Sequence, residues 1–296
     1  MSMLSSTQGT SDRVWSLIAL LREYEGKITR ADAAAWLNPQ YLKDDQTIGE
    51  KPIAFGQVLS AATSMGAVSL VGQELHLNPA CAAETYDEFA DWLYDQLIDL
   101  PSQEKDAVLL ELFAWVACES AKRQTSGWIL EMTNTELADI ADAALPSGAD
   151  DEDERRMNSV KVPYWRRWLV FLGLMEEISA NPSYEIDMSR RLRREISRLQ
   201  VERNVSIAAE EFLSLLRQRM PFIDGGRMYS ETARRINFSQ DPRQLSPVLS
   251  EALRDLHDEG LLELEVLGDI SSNHRLHPNS THKISAFFAV SIKGGA

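Results

Sequence analysis

The chain has 296 residues, 44% of them hydrophobic and 25% charged, with a formal net charge of −15, enough to bury a substantial core across about two domains, or three small ones, without disulfide staples. No apolar run reaches the roughly 18 to 20 residues of a membrane-spanning helix, since the longest, Ala107 to Ala117, is interrupted by Glu111. Acidic residues outnumber basic ones 27 to 9 over residues 1–154 and 12 to 10 over residues 204–296, but basic residues lead 11 to 6 over residues 155–203, so the whole repels nucleic acid while one central segment does not.

The opening from Met1 to Thr10 is small and polar, and reads as a frayed tail, not a cationic leader, on a protein expected in the cytoplasm. An amphipathic helix follows from Asp12 to Glu25, with Val14, Leu17, Ile18 and Leu21 on one face. Gly26 ends it, Thr29 is set to cap a short helix from Arg30 to Leu37, and Asn38-Pro39 closes that. After a polar loop with Pro52, a third helix runs from Phe55 to Met65 and stops at Gly66. Ala67 to Val71 and Glu74 to Leu77 then read as two strands about the Gly72-Gln73 turn. Three helices followed by a two-stranded wing is the order of a winged helix-turn-helix.

The same punctuation returns twice. A buried-looking helix from Glu104 to Lys122, the stretch Trp128 to Met132 and a helix from Thr135 to Ala144 precede a helix carrying Trp165, Trp168, Leu169 and Leu172. Gly173 stops that helix, and Leu174 to Ile178 leads through Asn181-Pro182 to Tyr184-Glu185-Ile186. Later, helices from Ala208 to Arg219 and Ser230 to Ile236 precede one with Leu249, Ala252, Leu253 and Leu256 on a face. Gly260 ends it, and the strand Leu261 to Leu267 has its return at Asn273 to Leu276 or within Ile284 to Ile292. The fourth and eighth positions before each glycine are apolar: Ala62 and Val58, Leu169 and Trp165, Leu256 and Ala252. The third copy departs just before its glycine, where Glu259 replaces Met65 and Leu172.

The fold class expected is therefore mainly α with small β-wings, α+β, built of tandem winged helix-turn-helix units. They span residues 1–80, 81–188 with an acidic loop at 146–154, and 204–296, with a basic linker helix at 189–203.

Enzyme signatures are missing. The chain lacks a phosphate-binding Gly-x-x-x-x-Gly-Lys loop, a dinucleotide-binding Gly-x-Gly-x-x-Gly, a Gly-x-Ser-x-Gly elbow and a His-Glu-x-x-His pair. Cys81 and Cys118, each among small apolar residues, are too few and too far apart for a zinc site or disulfide framework. His274, His277 and His282 cluster beside Pro278, with Asp269 the acid nearby; a metal needs three or four convergent ligands, and these read as wing-loop histidines. No catalytic residue, metal or cofactor is expected, and the chain reads as a non-enzyme.

Winged helices dock their third helix in the major groove and take affinity from Lys and Arg on phosphates. Of the three candidates, Phe55 to Met65 has no charge, Ser246 to Glu259 is acidic, and only Lys161 to Leu172 carries Lys161, Arg166 and Arg167 beside Tyr164 and Trp165. Arg190, Arg191, Arg193, Arg194 and Arg198 extend the basic patch, their bland alternative being an exposed helix or one that pairs with the acidic N-terminal third. Units that do not read DNA are expected to dock proteins.

Asp12-Arg13-Val14-Trp15-Ser16-Leu17, Ala35-Trp36-Leu37-Asn38-Pro39 and Leu253-Arg254-Asp255-Leu256-His257-Asp258-Glu259-Gly260-Leu261, with the length and domain order, resemble the DpdG family of the deazaguanine DNA-modification system, tandem winged-helix proteins of bacterial anti-phage defence clusters. The resemblance implies a non-catalytic adaptor or scaffold in a DNA-targeting complex, whose partner subunits cut DNA and hydrolyse ATP. It carries over no catalytic residues. Other protein subunits are the expected partners, with double-stranded DNA and a second copy of the chain as further candidates. An accessory subunit of a condensin-like, chromosome-partitioning complex is the rival, favoured by the acidic N-terminal third; a winged-helix transcriptional regulator is another, and a hydrolase the last.

Overall fold

The computed structural model describes residues 2–37, 53–146, 155–178, 183–266 and 273–294. The acidic run at 150–154 lies outside them, as do Asn38-Pro39, Pro52, Asn181-Pro182 and Asp269. The protein is mainly helical with small antiparallel sheets of two or three strands, consistent with α+β winged-helix-like units. Two compact units are distinguished, one of residues 1–107 with 160–171, the other of residues 108–159 with 172–296.

In the first unit α1 (Ser11–Glu23) buries Val14, Leu17, Ile18 and Leu21, the stripe its spacing prescribes. Strand β1 (Lys27–Thr29) and α2 (Arg30–Leu37) follow, then α3 (Ile53–Ser64) and the wing strands β2 (Val68–Val71) and β3 (Glu74–Leu77). The sheet order is β1-β3-β2, with Lys27 opposite His76 and Val68 opposite Leu77. Strand β1, too short to show alternation in sequence, gives the wing its third strand. The next helix, α4 (Tyr86–Ile98), was not foreseen from sequence, although it opens on a capping box between Thr85 and Glu88 and buries Phe89, Leu93 and Leu97 at helical spacing.

The N-terminal tail is not frayed. Met3 and Leu4 are buried, and the buried Asp106 carboxylate accepts hydrogen bonds from Ser2 Oγ (2.7 Å) and the Met3 N–H (2.8 Å) and pairs with the Ser64 hydroxyl. Two large apolar side chains and a buried anion that needs donors hold down a stretch whose composition alone reads as solvent-loving.

The second unit contains α5 (Val108–Arg123), buried over nearly its whole length, and α6 (Asn134–Ala144), opened by a second capping box at Thr133 and Glu136. Helix α7 (Lys161–Leu172), whose residues up to 171 belong to the first unit, leads through Gly173 to β4 (Met175–Ile178) and β5 (Ser183–Ile186). Then come α8 (Ser189–Arg198), β6 (Ser206–Ala208), α9 (Ala209–Arg219), α10 (Arg227–Arg235), α11 (Pro247–Asp258) and β7 (Leu262–Glu265). Strands β8 (His274–Arg275) and β9 (Ala286–Phe287) pair with each other, and β10 (Ala289–Ile292) is the return strand for β7, with Val290 opposite Leu264. The return thus falls in the second of the two stretches offered by the sequence.

Sheet order β6-β10-β7 reproduces β1-β3-β2 of the N-terminal unit. Helix α8 packs on α11 as α1 packs on α3. The helix set apart as a linker in the sequence reading therefore occupies the first-helix position of the C-terminal winged-helix-like unit. Each third helix ends on a glycine in the left-handed region, Gly66 at φ +74°, Gly173 at +76° and Gly260 at +72°, a conformation that side-chain-bearing residues adopt only with strain.

Candidate nucleic-acid interface

Helix α7 buries an apolar side and exposes one guanidinium. Trp165 and Leu169 are fully buried, Trp168 nearly so, and the Phe171 ring packs in tilted geometry against Tyr86 and Phe89 of α4, centroids 4.7 and 5.1 Å away. Pro163 falls in the first turn, where the absent N–H breaks no helical hydrogen bond. Lys161, Tyr164 and Arg166 are half-buried, and Arg167 is exposed, with no side-chain hydrogen bond or ion pair among the described residues. Trp165, read from sequence beside these cations, faces the core.

The arginines of α8 have other work. Arg191 is fully buried: its Nε donates to the Leu172 carbonyl at 2.7 Å and its guanidinium lies 3.2 Å from Glu195. Glu195, also fully buried, takes Arg198 at 3.4 Å and Arg219 of α9 at 2.8 Å as further partners. Arg193 pairs with Glu259, Arg190 lies over Gly173, and Arg194 is half-buried. Beyond the helix, Arg203 donates to the Ser197 carbonyl at 3.0 Å and caps the C-terminal end of α8. Arg191 is thus a correction to the sequence expectation, since a side chain with no exposed surface does not meet a phosphate; Arg193 and Arg198 are engaged in ion pairs. Sequence spacing cannot reveal this, because Arg219 and Glu259 come from elements far along the chain.

The acidic third helix α11 is also accounted for by packing. The Ser189 hydroxyl donates to Asp255 at 2.7 Å, and burial pushes the Asp255 and Glu251 carboxyls above their ordinary range. The charges that make α11 unfit to face DNA lie partly against α8. Two of the histidines are held apart by separate carboxylates, the His274 ring lying 3.1 Å from Glu210 and the His282 ring 3.1 Å from Asp258, and burial favours the neutral form of His274. Among the described residues, no three His, Cys, Asp or Glu side chains are placed to share a metal ion, and no helix is long and apolar enough to cross a membrane.

Two cationic segments of the sequence therefore have different physical roles. That of α7 exposes Arg167 and leaves Lys161 and Arg166 half-buried, and that of α8 is largely consumed in holding the C-terminal unit together. A family model described as DpdG-like matches residues 1–270. No curated protein and no solved structure matches the chain.

Proposed function

Since the chain belongs to the DpdG-like family, part of DNA-modification (Dpd) defence systems, we propose that it serves there, in the cytoplasm, as a non-enzymatic adaptor that docks other protein subunits and touches double-stranded DNA through α7. The observation that carries the DNA contact is Arg167 of α7, exposed and uncommitted among the described residues, with the half-buried Lys161, Tyr164 and Arg166 on the same helix. Cations on a rigid helix neutralise phosphates and release counterions, the sequence-independent part of DNA affinity. The docking role is supported by large apolar side chains left at the surface of the N-terminal unit, with Trp36 62% and Val71 61% exposed. In this reading DNA cutting and nucleotide hydrolysis belong to the partners.

The test is fluorescence anisotropy of the full chain on a labelled duplex at several salt concentrations, for the wild type and a variant with Arg166→Ser and Arg167→Ser. Wild-type affinity should fall steeply with salt, and the variant should lower the slope of log K against log salt by about 2. An Arg191→Ser variant, compared well below its melting temperature, should bind as the wild type does. Absence of wild-type binding at low salt would overturn the DNA contact and leave protein docking alone.

A further inference from the structure

The C-terminal unit holds a cleft of about 390 Å³ between α10 and the segment 238–244. Its floor is chemically complete. Buried Asp224 accepts from the Ser246 N–H and hydroxyl, both at 2.6 Å, and from Gln240 Nε2 at 2.9 Å. Arg217 crosses the floor, donating Nε to the Asp224 carbonyl at 2.9 Å and pairing with Glu210 at 2.6 Å. It has room because residue 225 is glycine: a Cβ there would stand 3.0 Å from Arg217 Nε, on a backbone at φ +77°. The acid of the wall, Asp241, is paired with Arg275.

The mouth is not complete. Ser230 and Arg234 stand four residues apart on α10, one turn above each other, and Ser239 lines the cleft from the loop beyond. All three are exposed, and none has a side-chain hydrogen bond or ion pair among the described residues. Beside them the half-buried ring of Phe238 forms an apolar wall with Ala233. A guanidinium and two hydroxyls converge on one opening, the acids of floor and wall already have their donors, and a flat apolar surface lies within the same cavity. Arginine is the side chain best matched to oxygen-rich anions, and the volume falls in the range that takes a small ligand.

We propose that this cleft binds a phosphate ester, with Arg234 as its charged partner, Ser230 and Ser239 as hydroxyl donors, and Phe238 as the surface for the ring the ester carries. Such a group has two sources, a free nucleotide or the backbone of a nucleic-acid strand with a base turned toward Phe238. The cleft shares no residue with α7, and AMP binding reads it without reference to duplex binding there.

The experiment titrates the full chain at constant ionic strength with AMP, with inorganic phosphate and with a ten-nucleotide oligothymidine, by calorimetry. AMP is expected to saturate with Kd below about 1 mM. Arg234→Gln should weaken AMP at least about tenfold, and Phe238→Ala should weaken AMP while leaving inorganic phosphate within about twofold. Lys122→Gln, an exposed change on α5 outside the cleft, should alter nothing. Oligothymidine binding that is lost with Arg234→Gln, without AMP binding, would support the phosphate site and assign its source to a strand. Binding in neither arm up to about 10 mM AMP, or binding untouched by Arg234→Gln, would overturn the proposal. Should Arg234→Gln lose its native circular dichroism, the double change Ser230→Ala with Ser239→Ala replaces it, and unchanged AMP affinity in that variant would overturn the proposal equally.

Discussion

Replacing Glu195 by Gln deprives Arg191, Arg198 and Arg219 of the carboxylate they share, and the loss is not divided evenly among them. Arg191 and Glu195 are both fully buried and 3.2 Å apart, a separation at which an effective dielectric near 20 gives an attraction of about 5 kcal/mol before desolvation. Arg198 and Arg219 keep 33% and 30% of their side-chain surface in water and can turn outward, so each adds at most about 1 kcal/mol. Since removing one partner of a buried pair strands the other charge, Glu195→Gln should cost about 4 kcal/mol. Arg191→Met should cost less, about 2–3 kcal/mol, because Glu195 retains two arginines while the bond to the Leu172 carbonyl is lost. The double variant Arg191→Met with Glu195→Leu should recover part of the sum, with a coupling near 2 kcal/mol. Urea unfolding followed by circular dichroism gives the ranking, and hydrogen exchange of α8 and α9 amides localises it, which matters in a chain of several units. A Glu195→Gln protein within about 0.5 kcal/mol of the wild type would refute the reasoning, since the cluster would then be a surface arrangement of little consequence.

Gly66→Ala should cost about 1–2 kcal/mol, the strain of its left-handed backbone, because a Cβ there meets open space; Gly173→Ala should cost more, since the added carbon would lie 3.2 Å from the Arg191 nitrogen. The two melting temperatures, measured side by side, should fall in that order. Ser246→Ala removes the cap that accepts from the Leu249 N–H and the hydroxyl that donates to buried Asp224, for a loss of about 2–3 kcal/mol by urea unfolding. Burial pushes the Cys81 thiol up to about 11 and Cys118 still further, so neither should react with a thiol reagent at neutral pH in the native protein, and both should react in denaturant.

The wings were legible in sequence because their signal is local: an apolar helix face, a glycine, and two short runs about a turn. Gly66, Gly173 and Gly260 stand where that pattern requires, and α2 begins where its Thr29 cap indicates. Strands β1 and β6, three residues each, are fixed by pairing with β3 and β10 and carry no periodicity of their own. Helix α4 does carry a local signal, the Thr85 and Glu88 box. The buried side of α7 could be read from residue types alone, since Trp165 and Leu169 mark it. The ion pairs of α8 could not: an arginine-rich helix looks solvated until a buried glutamate four residues on and an arginine from another helix are brought to it.

The bonds from Ser2 and Met3 to Asp106 join positions more than a hundred residues apart in the chain. Everything between them forms a closed circuit, with its first residues and the far side of α4 fastened at one acid. Removing residues 1–5 would withdraw Met3 and Leu4 from the core together with two donors of a buried carboxylate.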